Sequence, residues 1–170
     1  MTYKSGIIFA TMTAMLCLPT AAQAAGSRLV GKYGDWEAYT RSAGGDTICY
    51  VLAKPRTKLP KSVKHGDIYF MVANWKSGAA SEQPSFMADF PLKSNRAPTA
   101  RIGNTKVPMF VSQNESFISS GNEEKRLVRS MRAGSTMKIN AVSKRGTNVS
   151  YSFSLSGVTA ALKKAKASCG

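Results

Sequence analysis

The C-terminal stretch LVRSMRAGSTMKINAVSKRGTNVSYSFSLSGVTAALKKAKASC, residues 127–169, decides the fold class. Within it, residues 149–155 alternate strictly between large apolar side chains and serine. A period of two residues is typical of a strand with one buried face. Residues 137–141 alternate in the same way, and the intervening loop contains the glycine and asparagine of a hairpin turn. The stretch therefore predicts a pair of neighbouring strands.

Two short helices are predicted on either side of this hairpin. After the second strand, apolar residues recur at helical spacing and share one face, while Lys163, Lys164 and Lys166 mostly face water. The apolar residues are Val158, Ala161, Leu162, Ala165 and Cys169. Before the hairpin, residues 124–132 form the other predicted helix, and Gly134 suits its C-cap.

The rest of the chain is typical of short strands separated by glycine and proline turns. Within residues 33–39 we predict a Gly-Asp turn that leads into a strand containing Trp36. Further strands are predicted at 47–53 and 68–73, with a weaker one at 85–92 and two at 100–117. The run at 68–73 is apolar throughout, which favours a strand buried on both faces. Residues 56–66 are polar and basic, which predicts an exposed loop. The predicted fold is mainly β, an immunoglobulin-like β-sandwich with one or two short peripheral helices.

The N-terminus has the pattern of a targeting segment. Lys4 precedes an apolar run at residues 6–18, and Ala22-Gln23-Ala24 is typical of a cleavage site. We therefore expect a signal peptide at residues 1–24 and a single exported domain at 25–170, located in the periplasm or the outer envelope. The apolar run is too short to span a bilayer, and the mature chain has no second one.

The expected state of the cysteines depends on export. Cys17 leaves with the signal peptide, so Cys49 and Cys169 remain in an oxidising compartment, where they are a candidate disulfide. Two separate buried thiols are the alternative. Two cysteines and one histidine cannot form a structural zinc site without carboxylates, and no metal or cofactor is predicted.

The chain is strongly basic, with a formal net charge of +15. Loss of Lys4 leaves a charge of +14, which attracts polyanions. For an exported protein these are lipopolysaccharide, anionic lipids and acidic glycans, and nucleic acid is not expected. The candidate anion-binding residues are Lys125, Arg126, Arg129, Arg132, Lys163, Lys164 and Lys166. A further basic cluster comprises Lys54, Arg56, Lys58, Lys61 and Lys64. The alternative is a solvated basic surface that only aids solubility.

Catalytic patterns are weak in this chain. Ser135 and Lys138 match the S-x-x-K motif of serine β-lactamases, but residues 137–141 are predicted as a strand, which would place the two side chains on opposite faces. His65 is the only histidine, and we expect it on the surface. A hydrolase that uses His65 with Asp67 stays a minor hypothesis. No catalytic residue is predicted.

Four segments carry a resemblance to a known family. They are Tyr33-Gly34-Asp35-Trp36, Cys49-Tyr50-Val51-Leu52, residues 127–134, and residues 154–162 followed by Cys169. Together they resemble the invasion-associated locus B family of exported bacterial proteins. The family pattern often has another cysteine shortly after the tryptophan, where this chain has Tyr39 or a neighbour. The resemblance implies a signal peptide, an envelope location and a compact immunoglobulin-like β-sandwich, and it supplies no catalytic residues.

Two functional hypotheses of different class follow. The first is a non-catalytic binding protein that engages envelope or host-surface components, either anionic lipid or glycan, or a protein partner. The second is the hydrolase above. A structural or chaperone-like envelope protein, whose charge matters only for solubility, is a further alternative.

Overall fold

The computed structural model describes residues 26–170, so the predicted signal peptide at residues 1–24 lies outside the described residues. In chain order, the elements are β1 (Arg28–Tyr33), β2 (Trp36–Ala43), β3 (Asp46–Ala53), β4 (Thr57–Leu59), β5 (Ile68–Trp75), β6 (Gln83–Ala88), β7 (Thr99–Ile102), β8 (Thr105–Pro108), β9 (Phe110–Ser112), β10 (Glu115–Phe117), α1 (Gly121–Ala133), β11 (Thr136–Val142), β12 (Asn148–Ser154) and α2 (Val158–Cys169).

The strands form two antiparallel sheets that pack face to face. The large sheet has the order β1-β2-β3-β5-β6-β10-β9, and the small sheet has the order β4-β12-β11-β7-β8. Aromatic side chains from both sheets meet between them: Phe70 lies 5.9 Å from Phe153 and Phe86 lies 5.5 Å from Tyr151, measured between ring centroids. Burial of such rings is the main stabilising contribution of a sandwich core. The mainly-β sandwich predicted from the sequence is confirmed.

Both helices contribute to the core. α2 packs on β1, β2, β3 and β5, and α1 contacts β6, β7, β8 and α2. α1 buries Leu127, Val128 and Met131, and α2 buries Val158, Ala161, Leu162 and Ala165, as their helical spacing predicts. The helices and the small sheet therefore cover one face of the large sheet. No described element packs on its other face.

The predicted hairpin is confirmed. Met137 pairs with Phe153 and Ile139 with Tyr151 across β11 and β12, and these four side chains are fully buried. The turn closes with a bond from the Ser143 amide to the Thr147 carbonyl. The local alternation of apolar and polar residues therefore determines which face of each strand enters the core.

Three predictions for the loops and strands are wrong in detail. The predicted exposed loop at 56–66 contains β4, which pairs with β12 and adds an edge strand to the small sheet. The segment at 100–117 forms four strands, β7 to β10, rather than two. The outer face of the strand at 68–73 is only half-buried, because Tyr69 and Met71 remain partly exposed.

Two of the segments that carry the family resemblance, residues 33–36 and 154–162, contact each other in the structure. The Trp36 indole Nε1 donates to the Ser154 carbonyl at 2.9 Å, and the Asp35 amide donates to the Ser156 carbonyl at 3.3 Å. Gly157 has a φ of 85°, and a Cβ there would overlap the Tyr33 carbonyl. Glycine is needed at this position for both its backbone angle and its lack of a side chain.

A disulfide joins Cys49 in β3 to Cys169 at the end of α2, with 5.7 Å between the Cα atoms and a sequence separation of 120. The bridge attaches the last helix to the centre of the large sheet. Among the described residues, neither helix is long and apolar enough to cross a membrane.

Candidate functional site

The first candidate site is the layer formed by the two contacting helices. Lys125 and Arg129 are exposed on α1, four residues apart and therefore neighbours on its surface. Lys163, Lys164 and Lys166 are exposed on α2. Among residues 26–170, none of these five side chains forms an ion pair. We call these five residues the basic helical layer.

Two other residues of the predicted set have partners within the protein. Arg126 donates to the Glu123 carboxylate at 2.6 Å and to the Lys106 carbonyl at 2.8 Å. Arg132 pairs with Glu82, just before β6. The contacts with Lys106 and Glu82 link α1 to β8 and to the start of β6, whereas Glu123 belongs to α1 itself. The two arginines are therefore less available to an external anion than their neighbours.

The further basic cluster predicted from the sequence, which we call the loop cluster, does not join this layer. It comprises Lys54, Arg56, Lys58, Lys61 and Lys64. Its residues lie on and around β4, at one edge of the small sheet, whereas α1 packs on β7 and β8 at the opposite edge. Arg56 pairs with Asp35 at 2.7 Å and Lys54 with Asp67 at 3.4 Å, and Lys58 donates to the Gly66 carbonyl at 2.5 Å. The other two members of the cluster, Lys61 and Lys64, are exposed.

The prediction that His65 lies on the surface is wrong, because only 8% of this residue is exposed. Its Nε2 lies 2.9 Å from the Pro60 carbonyl, which can only accept, so Nε2 carries a proton. Its Nδ1 lies 2.9 Å from the Tyr151 hydroxyl, so both ring nitrogens have a hydrogen-bond partner. Burial raises the pKa of Tyr151, so this hydroxyl stays protonated.

These contacts bear on the two catalytic patterns. Both ring nitrogens of His65 are occupied, and Asp67 pairs with Lys54 instead of orienting the histidine. Ser135 precedes β11 and Lys138 lies within it, so the S-x-x-K pair lacks the helical turn that its chemistry requires. Among residues 26–170, no three His, Cys, Asp or Glu side chains are grouped as a metal site requires.

A second candidate site, which the sequence analysis did not identify, lies on the uncovered face of the large sheet. Ile48, Tyr50 and Ala73 are buried there, away from the main core. Half-buried apolar side chains pack around them: Tyr39, Ala43, Leu52, Met71 and Trp75. The rings of Tyr39 and Tyr50 stack, with 5.5 Å between centroids. We call this surface the outer sheet face.

The outer sheet face contains a groove of about 410 Å³. The signal for it in the sequence was the unbroken apolar run at residues 68–73, since a strand with a solvated outer face would alternate with polar residues. By itself, the run predicts a strand buried on both faces. It marks instead a strand with one face in the core and one in this groove.

Comparison with known proteins gives a family and a fold. The profile of the family described as "Invasion associated locus B (IalB) protein" matches residues 36–166. The crystal structure of invasion associated protein b from Bartonella henselae is similar, with a TM-score of 0.53 and 12% sequence identity. The alignment covers 81% of this chain and 94% of that chain. At this identity the likeness concerns the fold alone. No curated protein matches the chain.

Proposed function

Because the chain belongs to the invasion-associated locus B family of exported bacterial proteins, we propose that it is a non-catalytic binding protein of the bacterial envelope. The proposed ligand is an anionic group, either a lipid headgroup or an acidic glycan. The proposed site is the basic helical layer. Its location is the periplasm or the outer envelope.

The observation that carries this proposal is the arrangement of unpaired cations. Lys163 and Lys164 are adjacent and exposed on α2, and Lys125 and Arg129 are exposed on α1, which α2 contacts. Each basic residue near an anionic surface contributes roughly 1 kcal/mol of attraction. Several residues acting together therefore support reversible binding that depends on salt.

The non-catalytic part of the proposal is supported by the surroundings of His65. A general base needs a free ring nitrogen within hydrogen-bond reach of its substrate. In this protein the ring instead connects Pro60 to Tyr151, which is a structural arrangement. The alternative hypothesis of a hydrolase based on His65 and Asp67 receives no support from this geometry.

The test compares two double variants with the same change in net charge. Lys163→Glu/Lys164→Glu alters the basic helical layer, and Lys61→Glu/Lys64→Glu alters the exposed loop cluster on the other edge of the small sheet. Binding is measured by sedimentation with vesicles of phosphatidylglycerol and phosphatidylcholine, and separately with a sulfated glycan, between 0.05 and 0.5 M salt. Screening shortens the Debye length from about 10 Å at 0.1 M to about 3 Å at 1 M.

We expect the wild-type protein to bind an anionic probe at low salt and to lose it at high salt. The helical variant should bind at least about tenfold more weakly, a loss of roughly 1.4 kcal/mol that two cations can account for. The loop variant should change less. An equal loss of binding in both variants would mean that the net charge of the protein causes the binding and that the basic helical layer has no special role. This result would favour the structural alternative. Absence of binding to every anionic probe would remove the proposed ligand class.

A further inference from the structure

The outer sheet face differs in chemistry from the rest of this basic protein. Its groove is lined by large apolar side chains, including Tyr50, Leu52, Met71, Trp75 and Phe117. Aromatic residues and methionine are enriched where proteins contact each other, and methionine adapts its shape to varied partners. A sheet face that only met water would carry polar residues at these positions.

The floor of the groove holds an unpaired polar group. Ser85 lines the groove, yet only 2% of it is exposed, and its hydroxyl has no hydrogen-bond partner among the described residues. It lies between its cross-strand neighbours Met71 and Phe117. An unsatisfied buried hydroxyl costs free energy, which a ligand with a hydrogen-bonding group recovers. A purely aliphatic ligand would leave this cost in place.

Charges of both signs line the groove, although the chain has a net charge of +15. Lys32 pairs with Glu37 at 2.6 Å and Lys54 pairs with Asp67 at 3.4 Å. Arg41 and Glu115 are the two charged residues among those that line the groove. A lipid headgroup with only negative charge would be attracted by one of them and repelled by the other. A ligand that carries both signs matches both.

The positions of these two charges indicate the length of the ligand. Arg41 lies on β2 at the level of Trp75, and Glu115 lies on β10 at the level of Tyr69. The offset is four strand spacings across the sheet, roughly 19 Å, and six residues along it, roughly 20 Å. The diagonal between them is therefore about 28 Å, which an extended chain of about eight residues spans.

From these observations we propose that the outer sheet face is a second binding site. It takes an extended peptide segment of a partner protein, with apolar side chains in the groove, an acidic residue beside Arg41 and a basic residue beside Glu115. A backbone or side-chain polar group of the peptide bonds to Ser85. This site is separate from the basic helical layer and does not depend on the function proposed for it.

The test begins with a phage-displayed library of random 12-residue peptides selected on the exported protein. Met71→Lys serves as the counter-selection target, because it places a charge in the middle of the groove. We expect enriched peptides with apolar residues between an acidic and a basic residue. A synthetic copy of an enriched peptide should shift the fluorescence of Trp75, since Trp36 is buried in the core and does not report on this face.

Two further variants separate binding from folding. Ser85→Ala should weaken binding of the synthetic peptide by about 2- to 10-fold, the range of one hydrogen bond, without lowering the thermal midpoint. Arg41→Glu changes an exposed residue, and it should lose the original peptide but bind a copy whose acidic residue is replaced by lysine. Lys163→Glu/Lys164→Glu is the matched control, and it should bind the peptide within about twofold of wild type because it alters the other site.

Three results would overturn the proposal. Selection without enrichment would show that the groove takes no peptide. Concentration-dependent self-association in sedimentation velocity, lost in Met71→Lys, would assign the face to a second copy of this chain. Vesicle binding that is lost in Met71→Lys and retained in Lys163→Glu/Lys164→Glu would assign it to lipid. The first two results leave the test of the basic helical layer unaffected, whereas the third would also contradict the lipid binding proposed for that layer.

Discussion

The indole of Trp36, in the second strand, donates a hydrogen bond of 2.9 Å to the carbonyl of Ser154, at the end of the last strand. Beside this bond, the Asp35 amide donates to the Ser156 carbonyl at 3.3 Å. Two of the four segments that carry the family resemblance, residues 33–36 and 154–162, therefore form one junction in the structure. Each is needed to satisfy polar groups of the other.

Replacement of Gly157 by alanine should destabilise the protein by about 2 to 5 kcal/mol. About 1 to 2 kcal/mol comes from the positive φ and the rest from the overlap with the Tyr33 backbone. Gly45 is a matched control, because its φ of 87° is similar and a Cβ there meets nothing within 4 Å. Urea unfolding of both variants measures the difference, and equal losses would contradict the role of the junction.

The same junction predicts how stability depends on pH. The Ser154 hydroxyl and the Arg56 guanidinium beside Asp35 hold the pKa of this carboxyl below its usual range. A lowered pKa in the folded state means that the stabilisation is present above the unfolded pKa of about 3.9 and is lost as the pH falls through the folded value. We expect Asp35→Asn to be less stable than wild type at pH 6, and the difference to shrink below about pH 4. Urea unfolding at a series of pH values measures this, and a constant difference would refute it.

Reduction of the Cys49–Cys169 bridge should cost about 4 to 5 kcal/mol in the free energy of unfolding. The bridge closes a loop of 120 residues, and the loss of chain entropy in the unfolded state grows with loop length. The measurement is urea unfolding with and without dithiothreitol. The Cys49→Ala/Cys169→Ala variant is the control, and its stability should not respond to the reductant.

His65→Ala should destabilise the fold by about 2 to 4 kcal/mol. The change leaves the Tyr151 hydroxyl and the Pro60 carbonyl without a partner, and each unsatisfied buried group costs about 1 to 3 kcal/mol. Lys61→Ala, an exposed change in the same segment, should stay within about 0.5 kcal/mol of wild type. A neutral effect of His65→Ala in chemical denaturation would contradict a structural role for this histidine.

The sequence predicted those features that depend on neighbouring residues. The alternation in β11 and β12 and the helical spacing in α2 were sufficient, because strand and helix periods repeat within a few residues. The segment around His65 was mistaken for an exposed loop. Its polar composition is typical of a loop, but its buried partner Tyr151 lies 86 residues away in sequence. No local pattern reports such a contact.

The sequence likewise predicted only part of the two candidate sites. The basic residues of α1 and α2 were identified from composition, but only the fold shows that Arg126 and Arg132 have internal partners and that the loop cluster lies at the opposite edge of the small sheet. The outer sheet face was missed, because an apolar strand has the same sequence whether its second face meets another layer or a groove.

By itself, the sequence determined the fold class, the buried face of each strand in the central hairpin and the family, because each depends on short patterns that repeat or match locally. The tertiary structure alone decided that Ser85, Arg41 and Glu115 share one groove and that Trp36 meets Ser154. These residues come from strands far apart in the chain. Their proximity follows from the order of strands in the large sheet and from the packing of the two sheets, which hydrophobic burial of the whole chain selects.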